Sequence, residues 1–203
     1  MSALQLTKYT HACVRLEQAD GRVLVIDPGV WSEPGALRGA DAVLVTHEHA
    51  DHIDELRLAG LGVPVFAPAG AAISRVEFTP VVAGQDFEAG GFAVSAVGGR
   101  HAVIHGGQPD CPNLGYVIGD GAVYHPGDSL ALPGRPVETL LAPAQRSWLK
   151  MAEAIDFVNT VKPQRCHPIH DAQLNERGLE SVNGWLGEET DTDYRYLAPR
   201  ESA

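Results

Sequence analysis

Four side chains that bind metals fall within the short segment Thr46-His47-Glu48-His49-Ala50-Asp51-His52. Their imidazole nitrogens and carboxylate oxygens are the donors that Zn, Mn and Fe accept. The spacing sorts them into two pairs, His47 with His49 and Asp51 with His52, as an irregular turn swings successive side chains inward. Glu48 breaks neither pair and is expected to point away. Three histidines this close are hard to keep neutral, ordered and hydrogen-bonded unless something binds them. Roughly one chain in a thousand of this composition would carry H-x-H-x-D-H by chance, so the segment is read as a metal centre. A metal held this way activates water for hydrolysis.

The elements that must position these ligands are mostly short strands. Ala42–Val45 is an apolar run directly before the cluster, which puts the ligands in a strand-end loop. Cys13–Glu17 alternates apolar and polar residues, and Arg22–Ile26 is a continuous apolar run stopped by Asp27-Pro28-Gly29. Pro64–Phe66, Phe92–Val97, Leu114–Ile118, Ala122–Tyr124, Thr139–Leu141 and Tyr194–Leu197 read as strands in the same way. Helical spacing is clearest in Trp148, Met151, Ala152, Ile155, Val158 and Val161, with Ser147 as the expected cap and Pro163 as the stop. Weaker helices are predicted over Ile53–Gly60, Ala69–Arg75 and Glu176–Leu186. Many strands with a few interspersed helices predict an α/β layered fold.

At this point the chain resembles the metallo-β-lactamase fold superfamily of metal-dependent hydrolases. The signature of that superfamily is the H-x-H-x-D-H loop, then a more distant His, an Asp and a final His, each at a strand end. This chain supplies them in Gly98-Gly-Arg-His101, Tyr124-His-Pro-Gly-Asp128-Ser and Cys166-His-Pro-Ile-His170-Asp. Ile26-Asp27-Pro28-Gly29 is similar to the first motif, whose Asp is largely structural. The resemblance implies a four-layer αββα sandwich formed by residues 1–203 as one domain. It also implies two divalent metal ions, Zn first, with Mn or Fe as alternatives. His47, His49 and His101 would hold one ion, Asp51, His52 and His170 the other, and Asp128 would bridge them. The patterns His11-Ala-Cys-Val, Asn113-Leu-Gly-Tyr-Val-Ile and Tyr124-His-Pro-Gly-Asp128 look most like the branch that contains L-ascorbate-6-phosphate lactonase.

Two placements stay open. His101 and His105 both follow the strand Phe92–Val97; His101 comes first and is taken as the ligand, with His105 facing substrate. His167 and His170 pose the same choice, and His170 is preferred because Pro168 extends the chain that leads to it. Asp27, Asp54 and Asp171 are candidate orienters of the ligand histidines. His11, Asn113 and Tyr116 are candidates for the pocket, and Arg100, Arg135 and Lys150 for a substrate anion.

Two metals about 3.5–4 Å apart would acidify a shared water and hold hydroxide as the nucleophile. Asp51 and Asp128 then take catalytic roles as ligands, and the expected reaction is hydrolysis of a small-molecule lactone, ester or phosphodiester. The alternative is an iron-dependent redox enzyme of the same fold, acting on oxygen or thiols. Its di-iron reductases replace the second loop histidine with Glu, whereas this chain has His49 there. No G-x-S-x-G elbow or Walker loop offers another chemistry.

Composition narrows the setting. Lys plus Arg number 15 against 26 Asp plus Glu, a net charge of −11, which disfavours a nucleic-acid partner. The longest apolar stretches fall far short of the roughly 20 residues of a membrane span, and the first residues lack the apolar run of a secretory signal. Cys13, Cys111 and Cys166 are odd in number and form no CxxC. A cytoplasmic location and a small-molecule substrate are expected, with the oligomeric state open.

Overall fold

The computed structural model of the chain describes residues 4–203. One sheet has six strands in the order β1 (Leu4–Lys8), β2 (Val14–Gln18), β3 (Val23–Ile26), β4 (Ala42–Leu44), β5 (Val65–Pro68) and β6 (Thr79–Val81). The other has seven; in chain order they are β7 (Asp86–Ala89), β8 (Phe92–Gly98), β9 (Leu114–Ile118), β10 (Val123–His125), β11 (Thr139–Pro143), β12 (Arg165–Ile169) and β13 (Asp193–Tyr194), and they lie side by side in that sequence. A 3-10 turn at Pro34–Leu37 and α1 (Glu55–Leu58) cover the first sheet; α2 (Met151–Val161) and α3 (Glu176–Glu189) cover the second.

Burial on both faces explains the unbroken apolar run of β3. Leu24 and Ile26 point between the sheets, with Leu16, Leu44, Phe92, Leu114, Tyr116, Leu141 and Ile169. Val23 and Val25 point outward to Ala36, Leu37 and Leu58. Beyond the second sheet, Leu140, Ala142 and Cys166 pack on Ala154, Phe157, Val158, Val182 and Leu186. The layers are therefore helix, sheet, sheet, helix, the αββα arrangement that the resemblance implied.

Strand direction decides where the ligands meet. β1 and β3 both pair antiparallel with β2, and β4 runs parallel to β3. β8 and β10 both pair antiparallel with β9, and β11 and β12 continue parallel to β10. The loops after β1, β3, β4, β8, β10, β11 and β12 thus open on a common edge.

Several local expectations are corrected. Ala69–Arg75 is not helical. The Glu48 carboxylate accepts from the Ala72 N–H, and Glu55 accepts from the Ser74 and Arg75 N–H groups, so acidic side chains take the amides that a helix would use. This is also where Glu48 points. Ile53–Gly60 shortens to α1, capped by Asp54 accepting from Arg57 N–H. Helix α2 has its N-cap at Lys150 rather than Ser147, with the Glu153 carboxylate accepting from the Lys150 N–H at 2.9 Å. Of Tyr194–Leu197 only Tyr194 lies in a strand, as the second residue of β13. β12 was missed because it contains Pro168, yet β13 pairs only Arg165 and Cys166, so the strand is an edge where the proline lies. β1, β6 and β7 were also missed; β6 and β7 are short and carry exposed polar residues. Among the described residues, no helix is long and apolar enough to cross a membrane.

Candidate metal centre

At the common edge, one group brings together His47, His49, His101 and Asp128, and a second brings together His11, His52 and His170; within each, the ligand atoms lie within 4.8 Å of one another. Asp128 joins the two groups. Its Oδ1 lies 3.1 Å from His52 Nε2 and 2.9 Å from His170 Nε2, while its Oδ2 lies 3.2 Å from His101 Nε2.

The hydrogen bonds around the cluster set the imidazole orientations. Asp27 accepts from the Thr46 N–H at 2.7 Å, from the Thr46 hydroxyl at 2.6 Å and from His52 Nδ1 at 2.6 Å. With its own hydrogen spent on Asp27, Thr46 Oγ1 is the acceptor for His47 Nδ1 at 3.0 Å. His101 Nδ1 donates to the Ala102 carbonyl at 2.5 Å. In each case Nδ1 is engaged by the protein and Nε2 is left facing the cluster, as in histidines that ligate metals. Asn113 serves the same end at Asp128: its Oδ1 accepts the Asp128 N–H at 2.9 Å, and its Nδ2 donates to the Pro126 carbonyl at 2.9 Å.

The backbone is strained at the same place. His11, Asp27 and His170 have φ of 70°, 52° and 66°, in the left-handed region that non-glycine residues avoid. Two glycines let the loops close. A Cβ on Gly29 would lie 1.9 Å from the Asp51 carbonyl oxygen, and one on Gly127 would lie 2.4 Å from Asn113 Oδ1.

Burial and charge leave His47, His170 and Asp128 in the deprotonated forms that metal ligands need. Burial holds His47 well below its usual value, with the nearby His52 adding to the effect. Burial also pulls His170 down to about 3, against the attraction of Asp128. For Asp128 burial opposes ionisation, but His170 and His52 outweigh it and keep the carboxyl well below the usual range. His52 differs: burial opposes its charge, yet Asp27 and Asp128 together lift it to about 10. A cation is thus favoured between those carboxylates, a proton in one state and a metal in another.

The fit to metal ions rests on the polar atoms the protein leaves unmatched. His47 Nε2, His52 Nε2, both nitrogens of His170 and Asp128 Oδ1 are buried without a hydrogen-bond partner. Two of them, His52 Nε2 and His170 Nε2, crowd a third, Asp128 Oδ1, at 3.1 and 2.9 Å without hydrogen-bond geometry. Orphaned atoms of this number are costly unless a ligand satisfies them. Imidazole and carboxylate donors suit Zn, Mn or Fe alike.

Two expected site residues fall elsewhere. Asp51 stands outside both groups: its Oδ2 lies 3.2 Å from His11 Nε2 and 2.8 Å from Arg146 Nη2, and His11 takes the place beside His52 and His170. The guanidinium draws the carboxylate toward itself. His105 is exposed, with Nδ1 2.6 Å from the Gly106 carbonyl, and Ile104 rather than His105 lines the cavity above the cluster. His167 points into the sandwich and donates from Nδ1 to the Arg195 carbonyl at 2.8 Å.

Of the expected orienters, Asp27 holds His52, whereas Asp171 pairs with the buried Lys8 at 2.8 Å and Asp54 caps α1. Tyr116 donates to the Val45 carbonyl at 2.9 Å inside the core. Arg100 pairs with Asp110 on the surface, Arg135 lies 4.0 Å from Asp120, and Lys150 caps α2 in solvent. Sequence reasoning missed Arg146 and Trp148, which both donate to Asp128 Oδ2, at 2.9 and 3.1 Å. They follow β11, and the rule that this edge collects strand-end loops would have flagged them. Together with Val30, Trp31 and Ile104 they line a cavity of about 390 Å³ over His49, Asp51 and His101. The three cysteines are free and buried, and burial pushes the Cys111 and Cys166 thiols up to about 11 and 12, far from nucleophilic thiolates.

Comparison with known proteins agrees with the geometry. A family model described as the beta-lactamase superfamily domain matches residues 5–170. The chain is 38% identical over 211 residues to Protein Rv0786c of Mycobacterium tuberculosis, covering 98% of this chain and 99% of that one. It is 27% identical over 199 residues to a Methanopyrus kandleri protein named UPF0173 metal-dependent hydrolase, covering 82% and 84% of the two chains. Among solved structures it shares its fold with Igni18, a metallo hydrolase from the archaeon Ignicoccus hospitalis, at a TM-score of 0.74 and 18% identity, covering 98% and 97%. The chain therefore belongs to the beta-lactamase superfamily domain family and has the metallo-β-lactamase fold.

Proposed function

We propose that the protein is a metal-dependent hydrolase of small molecules that works with two divalent ions. The observation that carries this reading is the set of buried, unpartnered ligand atoms around Asp128. His47, His49 and His101 would hold one ion and His52 and His170 the other, with Asp128 offering an oxygen to each. When bound, the ions would supply an acidified water and polarise the carbonyl or phosphoryl oxygen of the substrate.

The chain's own residues do the rest. Asp27 and Thr46 fix the rings of His52 and His47, and Asn113 fixes the loop of Asp128. Trp31, Trp148, Val30 and Ile104 wall the cavity with apolar surface against which an apolar part of the substrate can lie. Similarity to proteins named metal-dependent hydrolases supports the reaction class. The likeness to the L-ascorbate-6-phosphate lactonase branch puts lactones first among substrates, ahead of other esters and phosphodiesters. Zn is the first metal to test.

The test is a panel of lactones, phosphodiesters and thioesters assayed with Zn, Mn and Fe. Metal-dependent hydrolysis of at least one class, lost on chelation, is the expected result. Oxygen consumption with a thiol and no hydrolysis would instead support the iron-dependent redox reading.

A further inference from the structure

Among the residues lining the cavity, Arg146 is the one lysine or arginine. Its side chain is 12% exposed and sits between two carboxylates: Nε donates to Asp128 Oδ2 at 2.9 Å, and Nη2 lies 2.8 Å from Asp51 Oδ2. A guanidinium carries five N–H donors in a rigid planar fork. Nε and Nη2 form one edge of that fork, and that edge is committed. The end of the fork, formed by Nη1 and the second hydrogen of Nη2, has no protein acceptor among the described residues.

That end has the geometry to take two oxygens of a carboxylate or phosphoryl group at once. The surroundings favour such an occupant. In a chain of net charge −11, Arg146 is the cationic side chain that the cavity offers an anion, held in place by Asp51 and Asp128. Metal ions at Asp128 would draw its charge toward themselves and leave the guanidinium less neutralised. Trp31 and Trp148, with Val30 and Ile104, provide an apolar wall beside it.

We propose that Arg146 is a specificity-determining residue, which holds a carboxylate or phosphoryl group on a substrate whose apolar part lies against Trp31 and Trp148. The proposal rests on the hydrolase reading only in taking this cavity as the substrate's.

Calorimetric binding to the metal-saturated protein tests it without turnover, using phenylphosphonate, benzoate and the neutral benzamide as probes. Arg146→Ala should weaken the favoured anion about 10–100-fold, the loss of a charged hydrogen-bonded pair, with benzamide changed less than about twofold. Arg146→Lys, which keeps the charge but loses the fork, should fall between. Which anion suffers more identifies the group as phosphoryl or carboxylate. Anion binding unchanged in Arg146→Ala at equal metal content would overturn the proposal. So would equal weakening of anions and benzamide, or a loss of metal from both variants, since Arg146 would then serve only Asp51 and Asp128. Failure to hydrolyse any substrate would count against the hydrolase reading and leave these binding differences intact.

Discussion

Asp27 grips His52 from behind: Asp27 Oδ2 lies 2.6 Å from His52 Nδ1, while the opposite nitrogen, Nε2, faces Asp128 Oδ1 at 3.1 Å. The same carboxylate takes the N–H and hydroxyl of Thr46, which in turn accepts from His47. One buried aspartate outside the cluster therefore sets the orientation of two rings inside it.

Asp27→Asn keeps the shape and removes the charge behind His52. Metal affinity should fall about 10–100-fold in a folded protein, as when other carboxylates behind ligand histidines are changed. Chelator competition measures it, with circular dichroism as the control for folding. Unaltered affinity would mean that Asp27 does not act through His52.

Gly29 lets the loop after β3 pass under the ligand loop. In Gly29→Ala the new Cβ would meet the Asp51 carbonyl oxygen at 1.9 Å. The backbone must shift, and the expected result is a loss of at least about 1–3 kcal/mol with reduced metal content. Thermal unfolding and elemental analysis together check this; full metal content at wild-type stability contradicts it.

Lys8 and Asp171 form an ion pair that is 0% and 6% exposed, directly beside His170. Lys8→Met leaves the carboxylate buried and uncompensated, so stability to urea should fall by about 3–5 kcal/mol. Adding Asp171→Leu should recover much of that loss. A single variant as stable as the wild type would show that the pair is not the anchor it resembles.

His52 makes the metal-free protein sensitive to alkali. Its pKa is raised in the fold from 6.5 to about 10, so the stability it contributes is complete below 6.5 and is lost as the pH rises toward 10. The histidines lowered by burial have their effect below that window and leave this slope unmasked. The melting temperature of the metal-free protein should therefore fall between about pH 7.5 and 9. In His52→Gln the slope should flatten. A rise over this interval would contradict the charged state of His52.

Much of the candidate site was legible because its His and Asp side chains cluster locally or match the motifs of the resemblance. The loop from His47 to His52 shows itself by spacing; His101 and Asp128 follow predicted strands, His170 was placed by the resemblance, and all three are brought to the same edge. His11 was legible only as a pocket residue, and Arg146 and Trp148, which follow β11, are not metal-ligand types and so were passed over. All three reach the cluster through strand direction, and His11 also through a left-handed turn, which no run of neighbouring residues encodes. The departure of Asp51 follows from the same blindness, since its position depends on an arginine 95 residues away. The layers were legible from apolar runs, but the polar edge strands β6 and β7 and the proline-bearing β12 were not.

Metal titration of the demetallated protein, by calorimetry with elemental analysis, addresses the central claim directly. The account predicts about two equivalents per chain, as a carboxylate-bridged pair requires. Asp128→Ala should remove the second equivalent while the protein stays folded. Binding near zero equivalents in the wild type, or two retained in Asp128→Ala, would contradict it.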